Sequence, residues 1–200
     1  MAQPSIIWTG GPNEVSSKCV IGLDRDGVIN EDIGTYCYRA ADFTPIPGSL
    51  RAMADLRQKG YKIVIITDQG GIEKGVMTIE EVDALHDHMF TLLRNEGCLT
   101  IDALYYSASS RKEDPYAKPN TGMFKKCEKE NKGVKFDQGY YVGDKIKDLK
   151  AALNMGSIPV LVRTGYGKET EQELEKFTYR KLKAKTIIFD NLAAFVETLS

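Results

Sequence analysis

Short apolar runs rich in β-branched residues recur along the chain at 20–23, 62–66, 101–105, 139–142, 158–162 and 186–189. Each is only a few residues long and ends at a polar residue or a glycine, so each predicts a buried strand. The segments between them carry helix signals. Pro47-Gly48-Ser49 opens a helix that runs to about Lys59 and stops at Gly60. Thr78 followed by Glu81 is a capping box, and its helix continues to about Asn95 with Gly97 behind it. Helices are expected over 120–130 and over 145–154, the latter ending at Gly156, and Asp190 is expected to cap a last helix. The charged stretch 169–183 reads as a solvated helix or loop excursion, 9–13 as a turn, and 6–8 as an edge strand or a loose arm.

Regular alternation of strands and helices predicts an α/β fold, a mainly parallel sheet with helices on both faces. Residues 18–200 are expected to form one domain, with 1–17 as an N-terminal arm or edge strand. In such sheets ligands sit beyond the carboxyl ends of the strands, which directs attention to the residues that close each strand.

Composition narrows the function classes. The 200 residues are 42% hydrophobic and 28% charged, enough for a sizeable core and unlike a disordered, collagenous or coiled-coil chain. The 27 basic and 28 acidic side chains nearly cancel, so no global field recruits nucleic acid or anionic lipid. Cys19, Cys37, Cys98 and Cys127 are scattered without a C-x-x-C pair, as expected of reduced, mostly buried thiols rather than a disulfide scaffold or a structural zinc site. The first residues lack a signal-peptide pattern, and no apolar stretch is long enough to span a membrane. A cytoplasmic protein with no membrane attachment is expected from this pattern, and a monomer is the expected state.

Four strand ends carry chemistry. After the first core strand stands Asp24-Arg25-Asp26-Gly27; two carboxylates so close are costly without a cation between them or a proton on one, although a polar Asp-Gly turn would read the same. After the second stands Thr67-Asp68-Gln69-Gly70-Gly71, whose hydroxyl and amide groups suit an anion or simply form a turn. Lys118 precedes a helix whose N-terminus would favour a phosphate; the alternative is a solvated lysine. Gly143-Asp144-Lys145 follows another strand, with Asp148 one helical turn beyond Asp144, a spacing that suits a metal or a helix cap.

In order and position these four motifs resemble those of the haloacid dehalogenase (HAD) superfamily, from about Cys19 to Gly167. The resemblance implies a HAD-like, Rossmann-like three-layer sandwich with a central parallel sheet and no large cap domain. It implies Asp24 as nucleophile forming an aspartyl-phosphate, and Asp26 as the acid and base that protonates the leaving oxygen and activates water. Asp24, Asp144 and the Asp26 carbonyl would hold Mg²⁺, with Lys145 and Asp148 in support. Thr67, Asp68 and Lys118 would meet the phosphoryl oxygens.

Within the superfamily the chain is most similar to the histidinol-phosphate and heptose-bisphosphate phosphatase group, through Leu23-Asp24-Arg25-Asp26-Gly27, Tyr141-Val142-Gly143-Asp144-Lys145 and Val160-Leu161-Val162-Arg163-Thr164-Gly165. The implied substrate is a small sugar phosphate such as D-glycero-D-manno-heptose 1,7-bisphosphate. A histidinol phosphate, a DNA 3′-phosphate (Lys118-Pro119-Asn120-Thr121-Gly122-Met123 resembles the polynucleotide kinase type) or a silent HAD-fold binding domain are the alternatives, with nucleic acid the less favoured partner. Three positions depart from the group: Ala117 stands where it has arginine, Asp68 where it has asparagine, and 107–116 carries no Cys or His where many members hold zinc. No zinc is therefore expected, and Arg111 and Lys112 are the cations expected to replace the missing guanidinium. Substrate shape should be read by 30–38, 73–77 and 107–117. His86 and His88, two apart on a helix, are expected at the surface or its boundary.

Overall fold

The computed structural model describes residues 19–200 and, for backbone only, 5–9. Thr9, the first residue of the turn expected at 9–13, ends a strand, and the rest of that turn and most of the N-terminal arm lie outside the described residues. Seven strands form one sheet: β1 (Ser5–Thr9), β2 (Val20–Leu23), β3 (Lys62–Asp68), β4 (Ala103–Ser107), β5 (Tyr140–Gly143), β6 (Ile158–Val162) and β7 (Ile187–Phe189). Their order is β1-β4-β3-β2-β5-β6-β7. All neighbours are parallel except β1, which runs antiparallel along β4. The edge-strand reading of 6–8 thus applies, with β1 on the outside of the sheet.

Side chains alternate across the sheet with the period of two that a strand imposes. Ile21, Leu23, Ile63, Ile65, Leu104 and Val142 face one layer, packed by helices α1 (Ser49–Gln58), α2 (Ile79–Asn95) and α7 (Leu192–Glu197). Val20, Val64, Ile66, Tyr105 and Tyr141 face the other, packed by α3 (Gly122–Glu130) and α4 (Ile146–Met155). Gly22 is one of the places where a side chain would not fit: a Cβ there would lie 2.6 Å from the Tyr141 ring.

Helix ends follow local chemistry. The Thr78 hydroxyl accepts from Glu81 N at 3.2 Å while Glu81 accepts from Thr78 N at 2.9 Å, closing the expected capping box. The last helix is capped by Asn191, which accepts from Ala194 N, and not by Asp190, whose carboxylate instead pairs with Arg163 at 2.7 Å. The charged stretch 169–183 is helical in two pieces, α5 (Gly167–Leu174) and α6 (Arg180–Lys183), each anchored by a buried leucine, Leu174 and Leu182.

From β2 the chain builds outward through β3 and β4 on one side, and through β5, β6 and β7 on the other. The connections leaving β2 and β5 therefore diverge, and the crevice between their carboxyl ends is where a ligand fits. The rim connections at 24–48 and 69–78 are loops with at most short turns, so among the described residues no cap domain covers that crevice.

Candidate active site

Asp24 is the first residue after β2, and Asp144 the first after β5. The parallel pairing of Leu23 with Val142 puts them side by side. Asp148, one turn into α4, completes a buried group whose ligand oxygens all lie within 4.8 Å of one another. Room for it comes from glycines. At Gly27, whose φ is +84°, a Cβ would stand 2.2 Å from Asp144 Oδ2, and at Gly143 a Cβ would stand 2.2 Å from Asp148 Cβ.

Lys118 enters this group from the loop before α3. Its ammonium is fully buried and lies 2.9 Å from Asp24 Oδ1 and 2.7 Å from Asp148 Oδ1. It also donates to Ile66 O and to the Tyr141 hydroxyl. Burial works against its charge, but Asp148 and Asp24 hold its pKa well above the ordinary lysine value. The same burial opposes ionisation of Asp24, yet Lys118 and Lys147 keep its carboxyl below the usual range. Asp24 Oδ1 is further fixed by the Arg25 N–H at 2.8 Å, which leaves Oδ2 without a protein partner among the described residues.

Asp144 is in the opposite state. Burial, with Asp148 and Asp24 adding to it against the pull of Lys145, raises its pKa to about 8. Its Oδ2 accepts from Tyr166 N at 2.8 Å, while Oδ1 is buried with no hydrogen-bond partner among the described residues. A buried carboxylate oxygen left bare beside two further carboxylates is electrostatically incomplete, and an all-oxygen donor set suits a hard divalent cation. The residues therefore fit magnesium. Asp148 has its Oδ2 engaged by the Lys145 N–H and its Oδ1 against Lys118, so it braces the group rather than opening toward the crevice.

Asp26 points from the same loop toward solvent at 23% side-chain exposure. Arg25 grips it at 2.9 Å, and Asn30 and Gln69 donate to it. Thr67, at the end of β3, is buried and its hydroxyl accepts from Gln69 Nε2, which leaves the hydroxyl proton for another acceptor. The Asp68 carboxylate is spent on Lys118 N at 3.1 Å and on Lys147 Nζ at 2.6 Å. With both oxygens so engaged, Asp68 has only its backbone N–H to offer an anion.

Two cavities open above these groups and share Asp32, Thr35, Tyr36 and Lys145 as walls. The one over Asp26, about 170 Å³, is also lined by Gln69, Gly70, Ser110 and Lys147. The outer one, about 690 Å³, is walled by Tyr36, Tyr38, Val76 and Tyr166. Lys145 and Lys147, about a third exposed, bring positive charge to these walls. Arg111 pairs with Glu73 on an exposed part of the rim, and neither it nor Lys112 lines either cavity. The loop 107–116 is held by hydrogen bonds, among them Asn120 Nδ2 to the carbonyls of Lys112 and Asp114 and Gly122 N to Pro115 O.

Sequence reasoning missed Arg25, Gln69, His86 and Lys147. His86 is not at the surface but completely buried, against Arg25. An arginine next to Asp26 could have signalled a buried fork, since its guanidinium can grip that carboxylate from two nitrogens; nothing in the local pattern marked His86.

The family model for polynucleotide kinase 3 phosphatase matches residues 24–189. The D-glycero-beta-D-manno-heptose-1,7-bisphosphate 7-phosphatase of Pseudomonas putida is 35% identical over 177 residues, covering 88% of this chain and 97% of that one. Its counterpart in Pseudomonas aeruginosa is 34% identical, covering 92% and 98%. Among solved structures, the D,D-heptose 1,7-bisphosphate phosphatase of Bordetella bronchiseptica, complexed with magnesium and phosphate, superposes with a TM-score of 0.80 at 30% identity, over 90% of this chain and 97% of that one.

Proposed function

The chain belongs to the haloacid dehalogenase-type phosphatases that the polynucleotide kinase 3 phosphatase model describes, and on that premise we propose a magnesium-dependent phosphomonoesterase acting through Asp24 on a sugar bisphosphate of the heptose 1,7-bisphosphate kind. The observation that carries the mechanism is the state of Asp24, one oxygen pinned by Lys118 and the Arg25 N–H, the other without a partner among the described residues. A carboxylate held ionised and aimed in this way is a nucleophile.

Asp24 Oδ2 forms a bond to phosphorus as the bond from phosphorus to the leaving oxygen breaks, and Asp26 supplies that oxygen with a proton. Asp26, now ionised, takes a proton from water, which attacks the aspartyl-phosphate and releases phosphate and free Asp24. Thr67, Lys118 and the cavity-facing Lys147 supply positive charge and donors for the phosphoryl oxygens. Asp24, Asp144 and the Asp26 carbonyl would hold Mg²⁺, which when bound offsets the charge of the carboxylates and of the phosphoryl group.

Substrate class rests on the relatives and on the two cavities. A phosphate over Asp26 and a polyol body in the tyrosine-walled cleft beside Lys145 would both be accommodated. We read residues 18–200 as one catalytic domain and the protein as a cytoplasmic monomer that favours a small phosphorylated substrate over nucleic acid; no described helix is long and apolar enough to cross a membrane. Phosphate release from D-glycero-D-manno-heptose 1,7-bisphosphate, histidinol phosphate and a 3′-phosphorylated oligonucleotide tests this, with Asp24→Asn as the blank. The bisphosphate should be turned over fastest. Equal or faster release from DNA would overturn the substrate class, and wild-type rates in Asp24→Asn would overturn the mechanism.

A further inference from the structure

His86 lies on α2, behind the loop that carries the reacting groups, and is fully buried. Arg25, equally buried, approaches its Nε2 with Nη1 at 3.0 Å. A guanidinium has only donors and keeps its charge, so Nε2 must accept and the ring is neutral with its proton on Nδ1. Burial and the Arg25 charge both push the imidazole pKa well below its ordinary value, which preserves the acceptor.

The other edge of the guanidinium holds Asp26. Nη2 donates to Asp26 Oδ2 at 2.9 Å and Oδ1 at 3.0 Å, and Nε donates to Oδ1 at 3.2 Å. Nη2 also reaches Cys37 O at 2.9 Å and Gln69 Oε1 at 3.1 Å. Gln69 closes the ring by donating back to Asp26 Oδ2 at 3.1 Å. Among the described residues His86 is the one partner of Nη1, the end of the fork that points away from the crevice. A planar fork held at both ends has its rotation fixed.

We infer that His86 is a positioning residue of the reaction, setting through Arg25 the angle at which the Asp26 carboxyl group meets the leaving oxygen. The inference rests on the reading of Asp26 as the acid. Without an acceptor at position 86, Nη1 becomes a buried charged donor with no partner, a costly state. The guanidinium then turns toward another acceptor and carries Asp26 with it. Proton delivery matters most when the leaving oxygen is strongly basic and little when it departs readily as an anion. Damage at His86 should therefore depend on the leaving group, whereas a general loosening of the fold would lower all rates alike.

The test compares kcat and KM on phenyl phosphate and on p-nitrophenyl phosphate, whose nitrophenolate leaves more readily, for wild type, His86→Leu, His86→Gln and Asp26→Asn. His86→Leu should lose about 10-fold or more in kcat on phenyl phosphate, part of the ~10²–10⁴-fold a general acid supplies, and much less on the nitrophenyl ester, with KM unchanged. His86→Gln, whose amide oxygen can accept from Nη1, should recover most of the loss. Equal losses of His86→Leu on both esters, no loss on either, or no recovery in His86→Gln would overturn the inference. If His86→Leu does not fold, His86→Asn, too short to reach Nη1, replaces it in the same comparison. Should Asp26→Asn itself fail to discriminate the esters, the acid role of Asp26 falls, a result distinct from failure at His86 alone.

Discussion

The Lys118 ammonium sits 2.9 Å from the Asp24 carboxylate, and neither side chain has more than a trace of solvent exposure. The pair is inseparable in energy: Lys118 keeps the Asp24 carboxyl below its usual range in a buried crevice and opposes the rise that burial and Asp24 impose on Asp148, while the two carboxylates keep the lysine charged. Removing one member leaves the others as uncompensated buried charge.

Lys118→Met should therefore cost about 3–5 kcal/mol of stability as well as turnover. Urea unfolding of the metal-free protein reads the first, and phosphate release the second. A variant as stable as wild type would mean that the buried Asp24 carboxylate does not depend on Lys118 for its charge.

Asp144 behaves as a group waiting for a cation, its pKa raised to about 8 by burial beside Asp148 and Asp24. Asp144→Asn should leave the metal-free protein within about 1 kcal/mol of wild type, because an amide replaces a carboxyl group that burial already favours as neutral. Mg²⁺ at a hundred times its dissociation constant should stabilise wild type by about 2.7 kcal/mol and the variant hardly at all. Thermal melts with and without Mg²⁺ decide it.

Lys147 lines the cavity over Asp26, paired with Asp68 at 2.6 Å, whereas Arg111 pairs with Glu73 and lines neither cavity. Lys147→Gln should raise KM about 10-fold, the scale of one charged hydrogen bond, and Arg111→Ala should change it less than Lys147→Gln does. Steady-state kinetics of the two variants rank them, and the reverse order would restore the rim cations to the binding role.

His86 gives stability a pH dependence of definite sign. The native imidazole resists protonation because of burial and Arg25, while the unfolded one titrates near 6.5. Below that value the unfolded chain binds a proton that the native state refuses, so stability falls as pH falls. From pH 6.5 to 5.5 this group should remove about 1 kcal/mol. His86→Gln should lack that component, and the difference between the two urea-midpoint profiles isolates it.

Much of the fold was legible along the chain because its signals are local. The β-branched runs, the Thr78–Glu81 box and Gly156 act within a few residues, and β2 and β6 have the predicted bounds. Capping at the last helix misled because Asp190 and Asn191 both qualify locally, and Arg163, brought alongside by β6, takes Asp190 away. Placement of Asp24, Thr67, Lys118 and Asp144 on one rim was equally readable, since each closes a strand or opens a helix in a parallel sheet.

By itself the sequence determined the strand–helix alternation and the four rim motifs, because periodicity and turn chemistry act between neighbours on the chain. Only the tertiary structure decided which charges meet: that Lys118 is wholly enclosed by Asp24, Asp148 and Tyr141, that Asp68 serves Lys147, and that His86 on α2 reaches Arg25 after β2. These partners are tens of residues apart, and their ionisation depends on burial, which no stretch of sequence carries until the sheet has brought its layers together.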